Sequence, residues 1–450
     1  MKGFRVSHRL LMFLWLAPAA PAVCSADRPP NVLFILSDDQ GWADLGCYGA
    51  TDIQTPHLDA LAARGLRMTQ FYAAAPVCSP SRAAILTGKV PQRAGMPGNA
   101  TADRGKPGMP TEQVTLAEVF KAAGYATGHV GKWHLGYSPE TMPNGQGFDH
   151  SFGHMSGCID NYSHYFYWAG PNRHDLWLNG KEIWRDGRFF PDLMAAECSQ
   201  FLERHREGPF FLYWAINVPH YPYQGAERWR KEYASLPEPR RLYATFVSTM
   251  DERIGQVLVR LDELGLRENT IIAFQSDHGF STEERAHFGG GSAGPYRGAK
   301  FSLFEGGIRV PAIVSAPGRF PTGETRDQLG TGCDWLPTLC DLAGVDPLQE
   351  RLDGKSLVAV LRENAASPHE GFHWMTGPAQ NPQWAVREGD WKLLGNPKDT
   401  VSPGSLGPQD NLFFVNLTED PSEQKNVSGR HPEIVRRLEK LHEESTRSLD

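Results

Sequence analysis

Four continuous apolar runs organise the chain: Asn31–Ser37 (NVLFILS), Phe210–Ile216, Thr270–Ser276 and Val310–Ser315. Runs without alternation predict strands covered on both faces. Segments of helical period lie between them. Thr55-Pro56 opens one helix, with Thr as its cap and Pro in its first turn. Thr115-Leu116-Ala117-Glu118 has capping-box spacing, and Gly124 ends that helix. Tyr243, Val247, Met250, Ile254, Val257, Leu258 and Leu261 form one stripe along Arg240–Leu264, which Gly265 stops. Strands alternating with helices predict an α/β fold, a mostly parallel sheet with helices on both faces. Later the pattern changes. Trp384–Arg387 and Trp391–Leu394 flank Glu388-Gly389-Asp390 as a hairpin, Phe413–Leu417 adds a strand, and His431–Leu449 reads as a closing helix. The expected division is a large domain over 27–346 and a C-terminal subdomain over 347–450, an antiparallel sheet plus helix, with a soft boundary at Asp346–Glu350.

The length of 450 residues accommodates both units. Residues 1–26 read separately. Lys2, Arg5 and Arg9 precede the apolar run Leu10–Ala20, and small residues continue to Ala26. This is the pattern of a secretory signal, too short for a membrane span, so the protein is expected to be exported, periplasmic or secreted. Cys24 as a lipid-attachment site is disfavoured by Pro21-Ala22-Val23 before it. Loss of this leader's three basic residues takes the net charge from −7 to −10. No basic run marks binding to nucleic acid or to a membrane. An anionic substrate must therefore be drawn by a local cationic pocket. Apart from Cys24 and Cys78, five cysteines remain (Cys47, Cys158, Cys198, Cys333, Cys340), none in metal-site spacing, and most are expected to be buried and unpaired.

In open parallel sheets, ligands gather at the carboxyl ends of strands. Asp38-Asp39 follows the first run, Asn217-Val218-Pro219-His220 the second, and Asp277-His278 the third. Clustered carboxylates repel unless a cation or protons neutralise them, which makes a divalent metal the natural partner of Asp38, Asp39 and Asp277. Elsewhere stands Cys78-Ser79-Pro80-Ser81-Arg82, continued by Leu86-Thr87-Gly88. This run resembles the signature of the sulfatases, members of the alkaline phosphatase superfamily. Gly124–Gly136 (GYATGHVGKWHLG) is similar to that family's second signature, and the resemblance extends over nearly the whole mature chain.

The resemblance implies an alkaline-phosphatase-like fold and a formylglycine made from Cys78 by a maturation enzyme. A hydrated aldehyde carries two hydroxyls on one carbon, one to attack sulfur and one to expel sulfate, which splits one hard step into two. It also implies a metal site of Asp38, Asp39, Asp277, His278 and the modified Cys78, with Ca2+ first and Mg2+ or Mn2+ as alternatives. His278 stands where the family most often has Asn, and its nitrogen suits transition metals better than calcium. Arg82 would hold the formylglycine oxygens, Lys132 would contact formylglycine and sulfate, and His134 would be the base for sulfate release. His220 and Lys300 would hold the sulfate and protonate the leaving oxygen. Glu305 and Arg309 read as structural, His129 as non-catalytic and His287 as a substrate-loop candidate.

Gly157–Trp184 is rich in aromatics, divided between packing and sugar stacking. Asp160–His164 and Leu178–Glu182 resemble arylsulfatase B-like, N-acetylgalactosamine sulfatase-like members, which favours a sulfated carbohydrate. Two rivals stand: a phosphonate or phosphate-diester hydrolase of the same superfamily, and a catalytically silent sulfated-glycan-binding protein.

Overall fold

The computed structural model describes residues 1, 3, 28–168 and 172–449, so the expected leader, Cys24 included, lies outside the described residues save 1 and 3. Its main sheet has ten strands: β1 (Asn31–Ser37), β2 (Leu66–Met68), β3 (Ala126–Lys132), β4 (His150–His154), β5 (Trp177–Leu178), β6 (Lys181–Glu182), β7 (Phe210–Ala215), β8 (Thr270–Ser276), β9 (Ala312–Ser315) and β10 (Glu324–Arg326). Their order is β10-β2-β9-β8-β1-β7-β3-β4-β5-β6. The inner run β8-β1-β7-β3-β4 is parallel throughout. Val32, Phe34 and Leu36 of β1 join the core on one face, Leu33 and Ile35 that on the other. That is the two-residue period of a strand buried on both sides.

Two details differ from the sequence reading. The run Val310–Ser315 is strand only from Ala312, and β9 is antiparallel to β8. Pro311 has no N–H to give the ladder, and strand direction leaves no trace in a run apolar on both faces. Thr55 sits at the N-cap of α1 (Pro56–Ala63) but makes no side-chain cap bond. Its hydroxyl is engaged by the Gly46 N–H and Asp59. Asp251, from α2 (Arg240–Glu263), accepts the His57 and Leu58 N–H groups instead, at 3.1 and 2.8 Å. The capping box at Thr115 forms as expected.

The C-terminal sheet runs β11 (Gly371–Thr376), β12 (Gln383–Glu388), β13 (Trp391–Gly395), β14 (Leu412–Asn416), antiparallel throughout. Its outer face carries the closing helix Pro432–Arg447 through Val386, Leu393, Phe414, Val435 and Leu438. Its inner face packs Trp374, Leu394 and Phe413 against Tyr72, Ala84 and Phe304. Among the described residues, no helix is long and apolar enough to cross a membrane, and the six described cysteines are all free.

Candidate active site

Four neighbouring parallel strands end on one cleft. β1 leads into Asp38 and Asp39, β8 into Asp277 and His278, β3 ends at Lys132, and β7 leads to His220. The fully buried helix Cys78–Thr87 places Cys78 in its first turn, where unpaired N–H groups favour negative charge. Arg82, four residues on, shares that helix face. Asp39 and His134 hold left-handed backbone, φ 62° and 57°, the kind of strain that functional sites retain. Gly131 turns the end of β3 at φ 114°, where a Cβ would lie 2.0 Å from the Ala215 carbonyl oxygen.

The side chains form one connected set. Lys132 Nζ lies 2.9 and 2.8 Å from the Asp38 carboxylate oxygens and 3.4 Å from Cys78 Sγ. Arg82 donates to Asp277 Oδ2 at 3.2 and 2.9 Å and to the Lys132 carbonyl at 3.1 Å. Lys300 Nζ lies 2.9 Å from Asp39 Oδ2, and His220 Nε2 is 3.6 Å from the same oxygen. His278 Nε2 faces both Cys78 Sγ and Asp39 Oδ1 at 3.4 Å. The Gly279 carbonyl, 3.0 Å from its Nδ1, fixes that ring orientation. His134 lines the same cavity as Cys78. Thus every predicted site residue reaches this cluster or its cavity. His129 is buried beside Ser151 and away from the cavity. His287 is exposed and is not part of the cavity lining.

Burial dominates the electrostatics. It pushes Asp39 up to about 6 and Asp277 to about 7, against the pull of Lys300 on the first and of His278 and Arg82 on the second. At Asp38, burial is outweighed by the cations Lys132 and Arg82, and the carboxyl stays well below the usual range. The Cys78 thiol is also held low, because Lys132, Lys300 and His278 together outweigh its burial. Burial pushes His220 down to about 3 and lowers His134, so both rings are neutral. His278 goes the other way, to about 9, because Asp277 and Cys78 overcome its burial.

Asp38, Cys78 and Asp277, and likewise Asp39, Cys78 and His278, bring ligand atoms within 4.8 Å of one another. Asp39 Oδ1 is buried without a hydrogen-bond partner. With Glu283, 3.3 Å from Lys300, four carboxylates face the three permanent cations Arg82, Lys132 and Lys300. A dication suits this donor set: it would take up the free Asp39 oxygen and offset the carboxylates that burial otherwise pushes toward protonation.

Above the cluster opens a cavity of about 330 Å³. Of the aromatic segment, Phe166 and Trp168 line it, joined by Tyr221. Other members pack instead, Tyr162 on Phe189 and Trp177 against Tyr137. Sequence reasoning missed Asn99, Asp103, Arg173 and Glu283 in the wall. They come from three segments, the loop holding Asn99 and Asp103, the hairpin strand at Arg173 and the loop at Glu283, and share no motif.

A sulfatase family model matches residues 30–345, and one for the N-sulphoglucosamine sulphohydrolase C-terminal region matches 298–448. Arylsulfatase A of Homo sapiens is 34% identical over 94% of this chain and 89% of its own. N-acetylgalactosamine-6-sulfatase of Sus scrofa is 35% identical over 83% and 74%. Among solved structures, Ps i-CgsB in complex with k-i-k-neocarrahexaose superposes with a TM-score of 0.83, at 28% identity over 93% of this chain and 92% of that one. The chain belongs to the sulfatase family, and it is a sulfatase of alkaline-phosphatase-like fold.

Proposed function

We infer that this sulfatase removes sulfate from a sulfated carbohydrate, using a formylglycine made from Cys78 and a divalent cation. The carrying observation is Cys78 itself, 3.4 Å from both Lys132 and His278 at the base of an aromatic-walled cavity. A solved relative of similar fold holds an oligosaccharide, and relatives named for N-acetylgalactosamine-6-sulfate support a sugar substrate. Phe166, Trp168 and Tyr221 offer flat apolar faces, with Asn99, Asp103, Arg173 and Glu283 as polar partners for hydroxyls.

The aldehyde hydrate supplies one hydroxyl to take the sulfuryl group and a second to expel it. Asp38, Asp39, Asp277 and His278 would hold the cation, calcium first, which would make those hydroxyls more acidic. Lys132 and Lys300, both charged, bind sulfate oxygens and offset the charge that builds on them. Arg82 fixes Asp277 and the end of β3. His134, a neutral ring with Nδ1 unpartnered, takes the proton that triggers sulfate release. At His220, the Tyr221 carbonyl 2.8 Å from Nδ1 leaves Nε2 toward the site, where with Lys300 it returns a proton to the departing oxygen. The same reading takes 1–26 as an export signal, 27–346 as the catalytic domain, and a formylglycine-generating enzyme as the maturation partner.

Two measurements test this on protein from its own host. The Cys78 peptide should be about 18 Da lighter than its thiol form, the loss expected when a thiol becomes the aldehyde nucleophile. Sulfated sugars should release sulfate faster than aryl phosphonates are cleaved. An active enzyme with unmodified Cys78 would overturn the mechanism, and faster phosphonate cleavage would favour the superfamily rival.

A further inference from the structure

A second group of ligand-type side chains lies outside the catalytic cluster. His164 immediately precedes the short strand Tyr165–Phe166, and His174 ends its partner Arg173–His174. Tyr165 pairs with His174, and Phe166 with Arg173. Both histidines therefore sit at the open base of this hairpin, and Asp186 comes in beside them. One ligand atom from each of His164, His174 and Asp186 lies within 4.8 Å of the other two.

Both imidazoles are almost fully buried, at 0% and 3% exposure. Each already spends one ring nitrogen. His164 Nε2 lies 3.0 Å from the Arg188 carbonyl oxygen, and His174 Nδ1 lies 3.0 Å from Glu182 Oε1. Those acceptors require N–H at these positions, which leaves lone pairs on His164 Nδ1 and His174 Nε2. These two nitrogens are the ones with no partner among the described residues. A buried acceptor left dry is costly. A ring whose far N–H is tied to a carbonyl or carboxylate is instead the arrangement of a metal-bound histidine. Trp184, stacked on His174 at 3.8 Å, shields one side. Two imidazoles and a carboxylate suit a transition-metal dication, with water completing four-coordination.

We propose that His164, His174 and Asp186 bind a transition-metal dication of the zinc class, separate from the catalytic cation, which clamps the base of the hairpin whose Phe166 and Arg173 line the substrate cavity. The ion replaces a missing hydrogen-bond network at the hairpin base. Its function is to hold that cavity wall in place.

The test uses the full chain stripped with a chelator and titrated with Zn2+ alone and with Co2+ alone, read by bound equivalents and by the visible absorption of four-coordinate Co2+. Wild type should bind one equivalent more than H174Q or D186N, and the added absorption band should vanish in both variants. E182Q, which removes the charge behind His174 along with an exposed ion pair to Arg104, should weaken that equivalent by roughly 10–100-fold. D186N alters an exposed side chain, so it decides the question should H174Q fail to fold. Equal stoichiometry and spectra in wild type and D186N would overturn the proposal.

Discussion

Lys392→Met tests how the C-terminal sheet supports the active site. Lys392 Nζ is fully buried, 2.8 Å from Glu305 Oε1 and 2.9 Å from Glu423 Oε1, and both carboxylates are equally buried. Glu305 keeps Arg309 and the Tyr72 hydroxyl when Lys392 is lost, whereas Glu423 keeps only the Glu305 N–H. Removing one partner of a buried ion pair costs about 3–5 kcal/mol. For a chain of this size, with an unfolding entropy near 0.9 kcal/mol per degree, that lowers Tm by about 3–6 °C. Burial already holds Glu423 near 7, against 4.5 for a free glutamate. Between those values the folded state binds the extra proton, so this group's contribution falls as pH rises, and the variant should be worse at pH 8 than at pH 5.5. Adding Glu423→Gln should recover a large part of the loss at pH 8. The same region holds the Lys300 loop: the Ala299 N–H donates to Thr400 Oγ1 at 3.1 Å, and Ser302 Oγ to the Lys398 carbonyl at 2.7 Å. Sulfate release by Lys392→Met should therefore fall at temperatures where the fold is intact. Thermal melts at both pH values, with kcat measured below the transition, make the comparison. A Tm within 1 °C of wild type at pH 8, about a third of the low end above, would refute the reasoning.

Lys300→Met should lower kcat by about 10²–10³-fold, the size of one lost oxyanion donor, and least for aryl sulfates with acidic leaving groups; equal losses across leaving groups would exclude proton return through this residue. Gly131→Ala forces a Cβ against the Ala215 carbonyl in a left-handed conformation, and should cost at least about 3 kcal/mol in a denaturant melt. Burial holds His129 and His154 near 3. The unfolded chain then binds more protons from there up to about 6.5, so stability falls as pH drops, by about 1.4 kcal/mol per histidine at pH 5.5. His129→Gln should flatten that slope, and an unchanged slope would remove His129 from the account. Chelation should abolish sulfate release and Ca2+ should restore it; full activity with no bound metal would exclude the Asp38–Asp39–Asp277 site.

What could be read from the chain follows from how locally each feature is written. β1, β7 and β8 were legible because strands covered on both faces need unbroken apolar runs. Asp38, Asp39, His220, Asp277 and His278 were legible because a parallel sheet delivers its strand ends to one edge, so position along the chain became position in space. Lys132 and His134 were legible through the resemblance of Gly124–Gly136 to the family's second signature. Cys78 and Arg82 were legible through their resemblance to the family signature, a motif that can be short because one helix carries both residues. The direction of β9 was not legible, since a run apolar on both faces carries no sign of it. Nor was the cap of α1, where the hydroxyl of Thr55 found other partners and a distant aspartate from α2 took its place. The cavity wall was hardest. Asn99 and Asp103 on one loop, Arg173 on the hairpin and Glu283 on another loop meet only because three separate segments fold over the same edge. That contrast has a chemical reason. The sulfate group is the same whatever bears it, so the residues that handle it can be fixed in short contiguous motifs. The alcohol that bears the sulfate differs, and the residues facing it lie on loops that can vary without disturbing the sheet. The substrate must therefore be sought in the hairpin around Phe166 and Arg173 and the loop around Asn99, and loop exchange there should change the preferred sugar while leaving turnover of a small aryl sulfate nearly intact. Loss of both together would mean that the wall and the sulfate pocket are a single unit.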